Sequence, residues 1–367
     1  MRKKRATANE ESRMVEAGPS DVKTYIGTGS VMLDLTIAGM SDPAGIGGIP
    51  VGRITEMFGP ESSGKSFISG EMCGSAISHE IEAHMIDVER SFDFTRTDIF
   101  GFSPTNKLFK YYPKDENQEE KIKLVEDLFG KYMVGKDRAA KLQYGMVNNI
   151  ARNMSAGKKA LIIVDSIAVL STRLEDSGKD KMGSSRAKMF STGLRQTIGD
   201  ISDKNIALVF DNQVRDVMME GGFSKGDGLD SPGGWAIRHY ASVRIKFTTS
   251  RIRNKETKRF TGLEIKAFLA KNKIDVPHRE CTFTLDFHYG IDNIRDCGMW
   301  LKENSKGLGI GQGMYQLPGC KPVKGIENFI GYVEKNDLEK ELFQLTREEW
   351  KKANQVEKRK EKDRSIF

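Results

Sequence analysis

Cysteine and histidine are scarce, at 4 and 5 of 367 residues. Cys73, Cys281, Cys297 and Cys320 form no C-x-x-C pair and adjoin no histidine arrangement, which excludes a zinc site or a disulfide framework and leaves reduced thiols as the expectation. Long apolar runs are missing too. None approaches the roughly 18 residues needed to span a bilayer. Met1-Arg2-Lys3-Lys4-Arg5 leads into polar residues, unlike a signal peptide, so a cytosolic protein with no membrane partner is expected. Neither sign of charge dominates. Lys+Arg 58 against Asp+Glu 51 leaves +7, a balance that permits a polyanionic partner without requiring one. There is no internal repeat, and the length suits one large domain of about 230 to 270 residues with smaller appendages.

Against this plain background one stretch stands out. Arg53 to Phe58 is a short apolar run, expected as a buried strand, that breaks into Gly59-Pro60-Glu61-Ser62-Ser63-Gly64-Lys65-Ser66 and so satisfies G-x-x-x-x-G-K-[ST]. Such a loop curls its backbone N–H groups around a phosphate, and the helix that follows adds its positive end. Phe67 to Ser78, with Ile68, Met72 and Ile77 inward, supplies that helix. Gly59 to Ser66, with Phe67 behind them, are therefore the candidate nucleotide-binding residues. Lys65 is placed for the β- and γ-phosphates and the Ser66 hydroxyl for Mg²⁺.

Around this loop the chain alternates strands and helices. Val31 to Ile37 reads as a helix ending in a Gly-rich loop, Gly39 to Gly48. Ala83 to Val88 reads as a strand with Glu89 just past its end, where a carboxylate either orients a water against the γ-phosphate or is a solvated loop acid. Asp93 opens the next helix. Leu108 to Pro113 is a strand, and Asp115 to Tyr132 and Arg138 to Met154 are expected as two charged helices. Ala160 to Asp165 is a buried strand ending in Asp-Ser, the form of a Walker B strand in which Asp165 holds the Mg²⁺ shell.

After the polar stretch Arg173 to Gly183 comes a helix, Ser185 to Asp200. The strand Ile206 to Phe210 then ends in Asp211-Asn212-Gln213, where Gln213 is either a phosphate sensor opening into a Gly-rich loop or a structural loop residue. Tyr240 to Thr248, Leu263 to Leu269 and Thr282 to Phe287 alternate as half-buried, antiparallel strands. The connector Arg251 to Arg259 is basic, either a solvated hairpin tip or a phosphate contact. Short helices around Trp300, from Ile326 to Glu334 and from Leu338 to Ala353 follow, then a basic tail.

From Thr28 to Trp300 this succession resembles the RecA family of DNA strand-exchange proteins and, more loosely, the phage UvsX recombinases. The wording Gly59-Pro60-Glu61-Ser62-Ser63-Gly64-Lys65-Ser66 is far more specific than the general loop pattern. The resemblance implies an α/β fold: a RecA-like P-loop ATPase core with a twisted, mainly parallel sheet, helices on both faces and an antiparallel extension. The corresponding division is an N-terminal arm (1–27), a core (28–290), a small C-terminal region (291–353) and a basic tail (354–367).

By the same resemblance Glu89 activates the attacking water, Asp93 contacts adenine, Asp165 is the Walker B acid and Gln213 senses the γ-phosphate. Lys271 and Lys273 match a lysine pair that reaches a neighbour's ATP across the subunit interface, so the catalytic candidates are Lys65, Glu89, Gln213, Lys271 and Lys273. A first DNA-binding loop would hold Glu175, Asp176, Ser177, Gly178, Lys179, Met182 and Gly183. A second would run from Arg215 to Gly233 and Gly234.

The activity implied is that of an ATP- and Mg²⁺-dependent recombinase. It would polymerise on single-stranded DNA as a helical filament, hydrolyse ATP and exchange strands with homologous duplex. A ring-forming motor of the same fold and a non-hydrolysing filament mediator are the rivals.

This chain departs from the family's pattern in several places. Arg96 stands where the family commonly has a tyrosine near the adenine, so it joins the nucleotide-binding candidates. Trp235 follows the glycines of the second loop, as an anchor or a base-stacking group. The arm offers little apolar surface, and the tail is basic where the bacterial tail is typically acidic, which implies weaker self-inhibition and suggests a phage-encoded member working in a bacterial cytosol.

Overall fold

Strand Tyr25–Ile26 (β1) pairs antiparallel with Ile49–Pro50 (β2), and between them lies Val31–Ala38 (α1), capped by the Ser30 hydroxyl accepting from Leu33 N. The computed structural model describes residues 22–112, 125–129, 131–134, 141–172, 175, 177–178, 185–216, 229–230, 234–254, 256–304 and 313–355. Next come Ile54–Gly59 (β3), Lys65–Ser78 (α2), Glu82–Asp87 (β4), Phe109–Tyr112 (β5) and Val125–Leu128 (α3). Lys131–Val134 (β6), Lys141–Tyr144 (β7), Met146–Asn153 (α4), Ala160–Asp165 (β8), Ser185–Asp203 (α5) and Ile206–Gln213 (β9) follow. Beyond them are Arg215–Asp216 (β10), Leu229–Asp230 (β11), Gly234–Tyr240 (α6), Val243–Arg253 (β12), Phe260–Asn272 (β13), Glu280–Asp286 (β14) and Gly290–Ile291 (β15). Asn293–Asn304 (α7), Ile326–Lys335 (α8) and Glu339–Asn354 (α9) close the described chain.

One nine-stranded sheet organises the molecule, in the order β15-β14-β13-β12-β3-β9-β8-β4-β5. From β12 to β5 every pairing is parallel; from β12 to β15 every pairing is antiparallel. All six residues of β3 and of β8 are buried, as strands covered on both faces must be. Strand alternation then fixes which side chains share a face. Leu161 and Ile163 of β8 and Ala207 and Val209 of β9 pack with Ile68 and Met72 of α2, whereas Ile162, Val164, Leu208 and Phe210 pack with α4, α5 and α6. Continued to the strand ends, that period puts Asp165, Asp211 and Gln213 on the α2 side. A third cluster joins Leu35 of α1 to Leu301, Val333, Leu342 and Trp350 of the C-terminal helices.

Three expectations need correction. Lys131–Val134 and Lys141–Tyr144 form an antiparallel hairpin where two helices were expected; each is only four residues long, too short for a period of two to stand out from charged surroundings. Tyr240 ends helix α6, and the alternating strand begins at Val243. The strand β12 runs on through Arg253, so the first three of the connector's nine residues are ladder, with the Arg251 and Arg253 guanidinium groups 5.3 Å and 4.5 Å from the Phe260 ring centroid. Residues 1–21, including most of the arm, lie outside the described residues, as does the tail from residue 356.

Candidate nucleotide site and DNA-binding loops

The phosphate loop is shaped by its glycines. Gly64 sits at φ +86°, and a Cβ there would come within 2.7 Å of Ile265 Cδ1. At Gly59 a Cβ would lie 2.6 Å from the Phe247 carbonyl oxygen, so both positions require the absence of a side chain. Lys65 Nζ donates to Gly59 O at 3.1 Å, Pro60 O at 2.8 Å and Ser63 Oγ at 3.2 Å, which folds the loop around its own ammonium. Burial pushes that ammonium's pKa down, while Asp211, Asp165, Glu89 and Glu61 pull it back up.

At the carboxyl ends of the parallel strands the acids converge. Ser66 neighbours Asp165, whose carboxyl burial pushes up to about 6 although the serine hydroxyl favours its ionised form, with Glu89 and Asp87 adding repulsion and Lys65 opposing them. The turn after β4 is tied to β8, since Val88 N and Glu89 N both donate to Asp165 O, at 2.6 Å and 3.3 Å. Asp87 shapes that turn by accepting from Ser91 N, Phe92 N and Tyr111 Oη. Glu89 Oε1 accepts from Ser166 Oγ and, at 2.9 Å, from Gln213 Nε2. The water-activating candidate and the phosphate-sensing candidate are therefore in direct contact.

A cavity of about 270 Å³ extends from the phosphate loop to Phe67, Asp93, Arg96, Leu263, Leu285 and Phe287. It is polar at the phosphate end and apolar at the other, as a nucleotide requires. Asp93 caps the turn Phe94–Arg96 and accepts from Thr95 N and Arg96 Nε, both at 3.0 Å; its hydrogen bonds to Thr95 hold its carboxyl below the usual range. The Arg96 guanidinium lies 5.9 Å from the Phe67 centroid. Leu263, Leu285 and Phe287 were not singled out from the sequence, because they reach this wall from the antiparallel extension and no local pattern marks them. Asp211, buried beside Lys65 and Asp165, also escaped notice. A larger cavity of about 810 Å³ lies elsewhere, between β13, β14 and α7, but Glu264, Glu280, Asp286 and Glu303 make it unsuited to a triphosphate.

Among the described residues no three His, Cys, Asp or Glu side chains form a cage able to hold a metal ion. The hydroxyl and carboxylate of Ser66 and Asp165 nevertheless suit Mg²⁺, which keeps several waters and takes other ligands from phosphate.

The candidate DNA-binding loops leave from the same sheet edge. In the first, Glu175 Oε2 accepts from Thr172 N at 2.8 Å and lies 3.4 Å from Arg186 Nη2, while Ser177 and Gly178 are exposed. Asp176, Lys179, Met182 and Gly183 lie outside the described residues. In the second, Arg215 opens β10 two residues after Gln213, β10 pairs with β11 to hold the loop's two arms together, and Gly234 starts α6. Gly233 and residues 217–228 lie outside the described residues, as does the Trp235 side chain.

Lys271 Nζ donates to Arg238 O at 2.6 Å and His239 O at 3.0 Å, capping the end of α6, whereas Lys273 is exposed just past β13. Burial and the neighbouring Lys273 and Arg244 lower the Lys271 pKa. On the same face, buried Glu56 accepts from Asn212 Nδ2 at 2.9 Å and from Arg244 Nε, which locks β3, β9 and β12 together.

A parallel sheet whose strand ends surround a glycine loop, with a serine–aspartate pair for a cation and an apolar wall beyond, defines a P-loop nucleotide-binding protein. A family model described as the RecA N-terminal domain matches residues 11–131 and 145–292. Protein RecA of Helicobacter hepaticus is 30% identical over 318 residues, covering 82% of this chain and 81% of that protein. Protein RecA of Trichodesmium erythraeum is 27% identical over 340 residues, covering 92% and 82%. The chain belongs to the RecA family, with the RecA-like core expected from its sequence, and is a recombination and repair protein of that family. No helix among the described residues is long and apolar enough to cross a membrane.

Proposed function

We propose that this protein is an ATP-dependent recombinase that polymerises on single-stranded DNA in the cytosol, pairs it with homologous duplex and exchanges strands. ATP enters with its phosphates on residues 59–66 and its base against Phe67, Asp93, Arg96 and the wall of Leu263, Leu285 and Phe287. Ser66 and Asp165 would hold Mg²⁺, which when bound would supply positive charge against the triphosphate. Lys65 leaves the loop carbonyls for the phosphates. Glu89 orients the attacking water and takes its proton, and Lys271 and Lys273 serve the site of the adjacent subunit.

The observation that carries this function is the contact of Glu89 with Gln213, because Gln213 is covalently two residues from the β10 arm of the second DNA-binding loop. A γ-phosphate that draws Gln213 away from Glu89 changes, in one movement, the charge environment of the catalytic acid and the position of the loop. Such an arrangement makes ATP the switch for DNA affinity.

The test is ATP turnover with and without single-stranded DNA, alongside electron micrographs of the same samples and a Lys65→Ala control. DNA-stimulated turnover with helical filaments is expected, and the control should lose the turnover. Turnover by rings without DNA would move the assignment to a motor, and filaments without turnover to a binding module.

A further inference from the structure

Asp211 has no part in the mechanism above, yet its surroundings are those of a functional group. Its neighbours on the same face of β9, Ala207 and Val209, are apolar core residues. Asp211 is 0% exposed. Its Oδ2 accepts from Ser69 Oγ at 2.7 Å, and its Oδ1 has no hydrogen-bond partner among the described residues. A buried carboxylate oxygen left in that condition is costly, and native folds rarely tolerate one without a use.

Its position suggests the use. Ser66 and Ser69 are three residues apart on α2 and so share one face. Each meets a carboxyl at the end of a neighbouring parallel strand: Ser66 meets Asp165 on β8, and Ser69 meets Asp211 on β9. Lys65 lies within electrostatic reach of both acids. The candidate cation site thus has two parallel hydroxyl–carboxyl pairs, only one of which the phosphate-loop pattern foretells.

We propose that Asp211 is a second carboxylate anchor for the nucleotide's Mg²⁺, its Oδ1 accepting from a water of the ion's shell beside Ser66 and Asp165. Mg²⁺ keeps several waters and is commonly held by one or two carboxylates together with phosphates. Its waters are strong donors, and groups that receive such hydrogen bonds typically contribute 10- to 100-fold to metal affinity. Asp211 acts on the phosphates through the ion's water and is a positioning residue. This inference rests on the nucleotide site proposed above.

The experiment is a Mg²⁺ titration of fluorescent ATP-analogue binding to the full chain, with a matching series in EDTA and Mn²⁺ binding followed by paramagnetic resonance. Asp211→Asn, which keeps shape and can still accept from Ser69, is expected to raise the Mg²⁺ midpoint roughly 10-fold or more and weaken Mn²⁺ binding, leaving metal-free nucleotide binding unchanged. Ser69→Ala keeps the carboxylate and should keep the midpoint. Asp211→Leu, which fills the strand end with an apolar group, carries the comparison if the Asn variant does not fold. Midpoints within about twofold of wild type in the Asp211 variants would overturn the anchor and leave Asp211 as a tie between β9 and α2. Wild-type protein without Mg²⁺-dependent nucleotide binding would overturn the nucleotide site itself, and the anchor with it.

Discussion

Glu89 is held by two donors, Ser166 and Gln213, so its position is fixed before any substrate arrives. A glutamine there still offers an oxygen to both donors but cannot take a proton. Glu89→Gln is therefore expected to fold, to bind ATP and to gain DNA affinity with ATP, while phosphate release falls about 10²- to 10⁴-fold, the usual share of a general base. Loss of nucleotide binding in that variant would mean that Glu89 organises the site and does not act on water. The partner residue gives the complementary result. Gln213→Ala removes the amide that links the acid to β10, so nucleotide binding should persist while the ATP-dependent rise in affinity for labelled single-stranded DNA disappears. Equal stimulation in mutant and wild type, read by fluorescence anisotropy, would refute the coupling.

Buried carboxyls fasten two helices at the rim of the sheet. Asp34 in α1 accepts from Thr28 N and Oγ1, and Asp296 in α7 accepts from Thr284 N on β14. Burial raises both carboxyls from 3.8 to about 7. A carboxyl whose pKa is higher folded than unfolded takes up a proton on folding, so its ionisation opposes folding. Stability should fall as pH rises from about 4 to about 7 and level off above, the reverse of an ion-paired acid. Asp34→Asn with Asp296→Asn should remove part of that fall, measured as the urea midpoint at successive pH values, the rest staying with other buried carboxyls such as Asp165.

Elements such as these were legible in unequal measure. β3, α2, β4 and β5, then β8, α5, β9, β12 to β14 and the C-terminal helices, announce themselves through short apolar runs or clear periods, whereas α6 and the two-residue β10, β11 and β15 do not; Lys65, Ser66, Glu89 and Asp165 sit next to glycines or at strand ends where pattern reveals them. The β6–β7 hairpin is too short to carry a period. Asp211 and the wall of Leu263, Leu285 and Phe287 belong to the site only because distant strands meet there, and no local pattern contains that information.

At the scale of the whole molecule the lysines raise a question that a single chain poses but cannot answer alone. Lys271 is bonded inside its own subunit, to the last carbonyls of α6, the helix on which the second DNA-binding loop ends. Lys273, two residues on, is exposed. If both serve a neighbour's ATP, assembly must draw Lys271 off α6, so that filling the neighbour's site and releasing the loop's anchor become one event. The consequence can be tested by mixing subunits. Lys65→Ala lacks its own phosphate lysine but has an intact Lys273, and Lys273→Ala has the converse defect. Each alone should be nearly inactive as a DNA-stimulated ATPase. In mixed filaments, a Lys273→Ala subunit whose neighbour is Lys65→Ala has a complete site, so turnover should recover to roughly a quarter of wild type at equal proportions, the chance of that neighbour order, in keeping with catalytic groups supplied in trans. Were Lys273 to act on its own subunit's nucleotide, no mixture would recover any activity, because no subunit would hold both lysines.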